Sequence, residues 1–138
     1  MSSYNRLFYH FIWGTKNREP IILPEFEAEL HSLIAAKAIE LGGIVHAING
    51  VDEHVHMAAT VPPKIAISRF IGEVKGNSSH AINHVVFPRH NFYWQSEYGV
   101  LSFAEKNLPN IVDYIRRQKE HHAKGTINPA MEKVAEEE

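Results

Sequence analysis

The stretch IVHAINGVDEHVHMAATV, residues 44–61, decides the fold class, because it reads as two short strands in succession. Residues 44–51 and 54–61 are each rich in apolar and β-branched side chains. The connection between them is Val51-Asp52-Glu53, since Asn49-Gly50 comes too early to form the turn. Two consecutive prolines then stop the second strand. We therefore predict an antiparallel hairpin in the middle of the chain.

Helical patterns alternate with strand-like segments on both sides of this hairpin. Apolar residues recur at helical spacing over residues 24–41 and again over residues 65–84. A third helix is predicted from Asn107-Leu108-Pro109 to Gly125. Residues 4–14 are aromatic and β-branched, which favours a strand, and residues 87–103 read as loop with short strands. Hairpin-joined strands with interspersed helices predict an α+β fold, in which helices pack on a mainly antiparallel sheet.

The length and composition exclude several classes of protein. A chain of 138 residues with 44% hydrophobic and 22% charged residues suits one globular domain. Cysteine is absent, which excludes disulfides, zinc-thiolate sites and a cysteine nucleophile. The first residues of the sequence show no signal-peptide pattern, and no apolar run in the sequence approaches the roughly 18 residues that a membrane helix needs. We therefore expect a soluble, cytoplasmic protein with no membrane partner.

The net charge of −2 is unusual for a nucleic-acid-binding protein, where a basic domain is the norm. The last eight residues contain four Glu and one Lys, so the remainder carries 13 basic and 12 acidic residues. We expect residues 1–125 to form a single catalytic domain and residues 126–138 an acidic, solvated tail. Charge alone neither supports nor excludes DNA binding.

The pair His54-Val55-His56 is the first candidate for chemistry. Residues i and i+2 of a strand point to the same face, about 6.7 Å apart along its axis. Both imidazoles are thus placed to converge on one ion, while Val55 points to the opposite face. Taken alone, the pattern is equally that of two exposed histidines on a strand. A metal site is therefore predicted only if another part of the chain supplies a partner, in the form of a further ligand.

Tyr114 and Gln118 provide that partner in the third predicted helix. Positions i and i+4 share a helix face, which presents a phenol beside an amide oxygen. Two imidazoles and one amide form a ligand set without carboxylates, which leaves coordination positions open for a phosphate on Mg²⁺ or Mn²⁺. Zinc would suit the histidines equally well. A tyrosine beside such an ion is placed to attack a phosphodiester and hold the product as a phosphotyrosine.

Three separated motifs resemble one known family. The segments DEHVHM at 52–57, WQSEYG at 94–99 and YIRRQKEHH at 114–122 are similar to the single-tyrosine (HUH) transposases of the insertion sequence 200/605 type. The stretch KGNSS at 75–79 is also family-like, and the resemblance runs from about residue 4 to residue 124. Because the motifs agree in order and spacing, their combination is specific.

The resemblance implies a fold, an activity and roles for four residues. It implies a ferredoxin-like or RNA-recognition-like sheet, and cleavage and rejoining of single-stranded DNA with hairpin ends. His54, His56 and Gln118 would hold a divalent metal, Mg²⁺ or Mn²⁺, and Tyr114 would form a 5′-phosphotyrosine. It also implies a homodimer in which the active site is shared between the subunits.

Two other functions are compatible with the same residues. A domesticated relative would keep nucleic-acid binding without catalysis, and a metal-dependent phosphodiesterase would use water while Tyr114 is structural. Scattered basic side chains and the aromatic run at 92–94 are candidates for DNA contacts, although we expect at least two of these aromatic residues to be core. Glu53 is a candidate acceptor for an imidazole or an ordinary turn residue, and we leave it out of the predicted site.

Overall fold

The computed structural model describes residues 3–135, which form a four-stranded antiparallel sheet with helices on both faces. The elements follow in the order β1 (Phe8–Gly14), α1 (Glu27–Glu40), β2 (Ile44–Gly50), β3 (His54–Thr60), α2 (Ile67–Ala81), β4 (Gly99–Phe103), α3 (Leu108–Arg116) and α4 (Gln118–Lys124). The strand order is β2-β3-β1-β4. The α+β prediction and its ferredoxin-like arrangement are confirmed.

The predicted hairpin is the centre of the sheet. Strands β2 and β3 pair antiparallel, with Asn49 opposite His56, and residues 51–53 connect them. Strand β3 also pairs with β1, which places Ile12 opposite His56 and Gly14 opposite His54. The strand that carries the histidine pair therefore has a neighbour on each side, which fixes its orientation.

The two faces of the sheet bury different sets of residues. Val55 and Met57 point toward α1 and α2 and belong to the larger apolar core. Ala58 points to the other face, where Ile111 and Ile115 of α3 cover it. Side chains alternate along a strand, so His54 and His56 lie on the same face as Ala58, under α3 and α4.

Three element boundaries differ from the sequence-based expectation. Strand β1 begins at Phe8 rather than at residue 4, because Phe8 already pairs with Thr60 at the end of β3. The second helix ends at Ala81 and continues as one π-helical turn, Ile82–Val86. The third predicted helix is two helices, since Arg117 has φ −100° and ψ 21° and interrupts the helical geometry.

The chain returns toward the sheet after α4. Gly125 ends α4 in the left-handed conformation (φ 69°), which glycine adopts without steric cost. A 3-10 turn, Pro129–Met131, follows and carries Glu132 back over the face that bears the histidines. The predicted solvated tail is thus partly packed, and its residues 136–138 lie outside the described residues. None of the helices in residues 3–135 is long and apolar enough to cross a membrane.

Candidate metal and tyrosine site

His54 and His56 lie side by side on β3, and both are fully buried. Their ring centroids are 5.1 Å apart, and each Nε2 lies close to one carboxylate oxygen of Glu132, at 3.2 Å for His54 and 3.1 Å for His56. The two imidazoles therefore lie on the same face of β3, as the alternation of side chains along a strand predicted. Two imidazole nitrogens converge on one point beneath α3 and α4.

A carboxylate supports His54 from behind. The Nδ1 of His54 donates to Oε1 of Glu53 at 2.5 Å, and Glu53 is itself paired with Arg18. Burial alone would lower the pKa of His54, but the hydrogen bonds with Glu132 and Glu53 outweigh burial and raise it. With its proton on Nδ1, the imidazole presents Nε2 to the site, and the nearby charge increases its basicity as a ligand. The role of Glu53, which the sequence left undecided, is that of an acceptor for the imidazole.

His56 is supported by another histidine. Its Nδ1 lies 2.9 Å from Nε2 of His10, a residue of β1 that is only 1% exposed. Burial lowers the pKa of His56, and the hydrogen bond with Glu132 only partly offsets this effect. Burial, together with the neighbouring His56, also lowers the pKa of His10 to about 3. His54 and His56 therefore have different electrostatic surroundings, because the pKa of His54 is raised and the pKa of His56 is lowered.

Tyr114 reaches the same point from α3. Its ring lies 6.0 Å from that of His56, and its hydroxyl donates to Oε2 of Glu132 and accepts from the backbone N–H of Asn128 at 2.9 Å. Burial and the bond to Glu132 raise the pKa of Tyr114 to about 12. The phenol is therefore protonated at neutral pH in this arrangement, and an ionised oxygen there needs added positive charge.

Gln118 completes the group of predicted residues, although it lies on a different helix from Tyr114. Its Oε1 is 3.3 Å from Nε2 of His54 and 3.2 Å from Nε2 of His122, while the residue is fully buried. The backbone N–H of Arg117 still bonds to the carbonyl of Asp113, so the kink preserves the one-turn spacing of Tyr114 and Gln118. The four predicted site residues are brought together in one chain.

Glu132 is the residue that sequence reasoning missed. Its side chain is 13% exposed and contacts both histidines of β3 and the Tyr114 hydroxyl. Burial alone would raise the pKa of Glu132, but the hydrogen bonds from His54 and His56 hold it well below its usual range. Nothing in the local sequence distinguishes this glutamate from the others of the acidic end. Only the path of the chain after Gly125 places it.

The donor atoms present suit a divalent cation. The ligand atoms of His54, His56 and Glu132 all lie within 4.8 Å of one another, and the amide oxygen of Gln118 adjoins them. Imidazole nitrogens and carboxyl or amide oxygens together are ligands for Mn²⁺, Mg²⁺ or Zn²⁺. The Nε2 of Gln118 is buried without a hydrogen-bond partner among the described residues, so the amide is oriented by its oxygen. The donor set therefore fits the predicted kind of metal.

The candidate DNA-contacting residues differ in their availability. Arg18, Arg117 and Lys119 are engaged in ion pairs with Glu53, Glu120 and Glu27. Phe92 is core and Trp94 is partly buried, whereas Tyr93 is 52% exposed. Two of the three aromatic residues at 92–94 thus pack inside, and Tyr93 alone of the three presents a largely open ring.

A family model and curated relatives identify the chain's family. Residues 3–118 match the model described as "Transposase IS200 like". The ISDra2 transposase TnpA of Deinococcus radiodurans is 27% identical over 119 residues, which span 82% of this chain and 84% of the relative. The transposase for insertion sequence element IS200 of Salmonella typhimurium is 28% identical over 123 residues, 85% of this chain and 80% of the relative. The fold and the matching sequence together define a transposase; the chain belongs to the IS200-like transposase family.

Solved structures support the same assignment. A putative transposase from Deinococcus radiodurans R1 superimposes with a TM-score of 0.65 at 26% identity, covering 86% of this chain and 95% of the other. A REP-associated tyrosine transposase bound to a REP hairpin gives a TM-score of 0.64 at 22% identity, covering 92% and 76%. The second likeness shows the shared fold. Glu132 and His122 lie beyond the residues that the family model matches.

Proposed function

We propose that this transposase cleaves and rejoins single-stranded DNA through a 5′-phosphotyrosine on Tyr114. The observation that carries the proposal is the meeting of the Tyr114 hydroxyl and the paired imidazoles of His54 and His56 on one carboxylate, Glu132. A phenol and a cation-binding group must lie this close for one phosphodiester to contact both. None of the other four tyrosines of the chain lies in this group; Tyr4, for instance, is 88% exposed at the far end of the sequence.

The bond changes of this reaction balance without another reactant. The Tyr114 oxygen attacks phosphorus, the bond from phosphorus to the 3′ oxygen breaks, and the phenol proton is lost while the leaving oxygen gains one. The product holds the 5′ phosphate on Tyr114 and frees a 3′-hydroxyl. A 3′-hydroxyl that later attacks the phosphotyrosine restores the phosphodiester, since the tyrosine ester retains the bond energy.

His54, His56 and Gln118 are the proposed ligands of a divalent cation, Mg²⁺ or Mn²⁺, with Glu132 as a further oxygen donor. When bound, the cation supplies Lewis-acid polarisation of the phosphate and positive charge beside the phenol. The chain's own groups orient the imidazoles and hold the Tyr114 oxygen in place. The raised pKa of Tyr114, about 12, supports a need for that charge, because the buried phenol ionises poorly by itself.

The proposed substrate is single-stranded DNA with hairpin ends. Membership of the IS200-like family supports it, and so does the shared fold with a transposase described as bound to a REP hairpin. The open ring of Tyr93 offers one surface on which an unpaired base stacks. We further propose that the protein acts in the cytoplasm, in keeping with its lack of cysteine.

We also propose a homodimer in which the α3–α4 segment of each subunit completes the site of the other. The edge strand β4 exposes Val100 and Leu101, which supports association at that edge. In the single chain, α3 packs on its own sheet through Ile111 and Ile115. If the α3–α4 segments were exchanged between two subunits, each α3 would make the same contacts with the partner's sheet, so few packing contacts would be lost.

A denaturing gel with labelled hairpin DNA tests the proposed reaction. We expect a denaturant-stable adduct between the protein and the labelled fragment on the 3′ side of the cleaved bond, which carries the 5′ phosphate, and we expect it to form only with Mg²⁺ or Mn²⁺. Cleaved product without an adduct would favour a phosphodiesterase that uses water. A mobility shift under native conditions, with neither cleavage nor adduct, would favour a domesticated binding module.

A further inference from the structure

His10 is a buried histidine to which the proposed reaction assigns no part. It lies on β1 in register with Ala58 of β3, two positions along from the pair formed by Ile12 and His56. His10 therefore lies on the same face of the sheet as His56, and its side chain is buried there. Its ring centroid lies 5.1 Å from that of His56.

The contact between the two rings is a single nitrogen-to-nitrogen hydrogen bond. The Nε2 of His10 and the Nδ1 of His56 are 2.9 Å apart, so one of the two nitrogens carries the shared proton. The other nitrogen of His10, Nδ1, is buried with no hydrogen-bond partner among the described residues. All of the ring's specific bonding is thus directed at His56.

The surroundings of Nε2 of His56 indicate whether Nδ1 of His56 or Nε2 of His10 donates the hydrogen bond. The Nε2 of His56 faces the cluster that His56 forms with His54 and Glu132. A neutral imidazole has one protonated and one acceptor nitrogen, and a cation binds only the acceptor. If Nε2 is a ligand, Nδ1 carries the proton, and His10 must accept it through Nε2.

We propose that His10 is a positioning residue for the metal centre: it accepts the Nδ1 proton of His56, and so holds that ring in the tautomer and orientation that present Nε2 to the cation. This role rests on the proposed metal-dependent function. It is the counterpart of Glu53, which accepts from Nδ1 of His54 at 2.5 Å. A neutral acceptor behind His56 avoids a second buried carboxylate on this face of the sheet, where Glu132 is already charged.

Two substitutions separate positioning from packing. His10→Gln keeps an acceptor oxygen at about the reach of Nε2, whereas His10→Met fills similar space without a strong acceptor. We expect His10→Met to weaken Mn²⁺ binding by about 10–100-fold, the effect of losing an outer partner of a ligating histidine, and His10→Gln to recover most of it. Mn²⁺ affinity is measured by electron paramagnetic resonance of free Mn²⁺ and by calorimetry, with no DNA present.

Matched controls identify a merely structural effect. His31→Met makes the same change at a histidine of α1, outside the site, and should leave Mn²⁺ affinity unchanged. The thermal midpoint of unfolding of each variant is recorded in chelator. Because no metal is bound there, a lower midpoint reports a packing defect alone. Mn²⁺ affinity of His10→Met equal to that of the unsubstituted chain would overturn the role of His10. If the unsubstituted chain binds no Mn²⁺, the metal assignment and the role of His10 fail together.

A measurement on the unsubstituted chain does not depend on how the variants fold. Long-range ¹H–¹⁵N correlation spectra of the Mg²⁺-loaded protein distinguish the tautomers of each imidazole. We expect His56 to be protonated at Nδ1 and His10 to be protonated at Nδ1, with Nε2 of His10 as acceptor. A proton on Nε2 of His10, donated to Nδ1 of His56, would contradict the proposal even if Mg²⁺ is bound.

Discussion

Glu132 shows how a residue far along the chain changes the chemistry of a site. The sequence predicted a ligand set without carboxylates, yet a carboxylate from the acidic end contacts His54, His56 and Tyr114. Glu132 has no spacing relation to the histidines, which precede it by more than 70 residues. Its placement depends on the turn at Gly125 and the 3-10 turn after Asn128, and neither feature carries a signal of metal binding.

The paired histidines give the first prediction at this scale. Changing both His54 and His56 to Ala should abolish cleavage of hairpin DNA, because it removes both proposed nitrogen ligands while α3 still covers the sheet. Circular dichroism should show a folded protein, and Mn²⁺ binding should be lost. The gel assay in the presence and absence of chelator measures the cleavage.

The matched control changes two other histidines of the same chain. His80 and His84 lie exposed on α2 and the turn after it, with ring centroids 4.3 Å apart. The His80→Ala/His84→Ala protein should cleave normally and remain dependent on metal. Cleavage that survives in the His54/His56 variant, or that proceeds unaltered in chelator, would contradict the metal assignment.

Helix α3 is the element that holds Tyr114 beside His56 of β3. Ile111 and Ile115 bury the helix against Ala47 and Ala58, while Tyr114 projects toward the histidines. We expect Ile115→Ala to lower the free energy of unfolding by about 2–5 kcal/mol, since a fully buried isoleucine leaves a cavity. Ile39→Ala, at a 59% exposed position on α1, should change it by less than about 0.5 kcal/mol. Urea unfolding of both variants measures the difference, and equal effects would contradict the packing described for α3.

The sequence predicted the elements better than their ends. The hairpin of β2 and β3 was predictable because its apolar runs, its connection and the prolines after it are all local signals. The break at Arg117 was not predictable, since residues 110–124 contain no glycine or proline and Arg117 is an ordinary helix former. Long-range contacts, such as the bond from the Asn49 amide to the Arg116 carbonyl, accompany the change of helix direction.

The same distinction applies to the candidate site. Spacing along a strand or a helix made it predictable that His54 and His56 share one face and that Tyr114 and Gln118 share another, whereas the prediction that the two pairs form one site rested on the family resemblance. Glu53 was ambiguous, since a turn residue has no fixed direction. His10 was not singled out, because it contacts His56 only through the pairing of β1 with β3, which is a property of the sheet.

Site sharing is a prediction about the whole molecule. A Tyr114→Phe subunit and a His54→Ala/His56→Ala subunit are each inactive in the proposed reaction. If α3 and α4 exchange between subunits, their mixture should regain one working site in each heterodimer. The measurement is adduct formation after co-refolding, with sizing chromatography to establish the dimer. A dimer that regains no adduct would contradict the shared site, and each chain would then use its own Tyr114 in the arrangement described above.

The central claim is that the Tyr114 oxygen becomes the covalent link to DNA. Tyr114→Phe removes only the hydroxyl, so the ring should still pack beside His56 and His121, and Mn²⁺ and hairpin binding should persist. Tyr93→Phe, which removes the same atom from a half-exposed ring outside the site, is the matched control and should retain the adduct.

The decisive measurement is the denaturing gel of Tyr114→Phe with Mn²⁺ and hairpin DNA that is labelled on the 3′ side of the cleavage position, in the fragment that keeps the 5′ phosphate. The account predicts that the covalent adduct and the cleaved strand disappear together, because both depend on the same phosphorus–oxygen bond. An adduct that persists in Tyr114→Phe would place the nucleophile elsewhere in the chain. Cleavage that persists without an adduct would show that water attacks the phosphodiester, and would contradict the account.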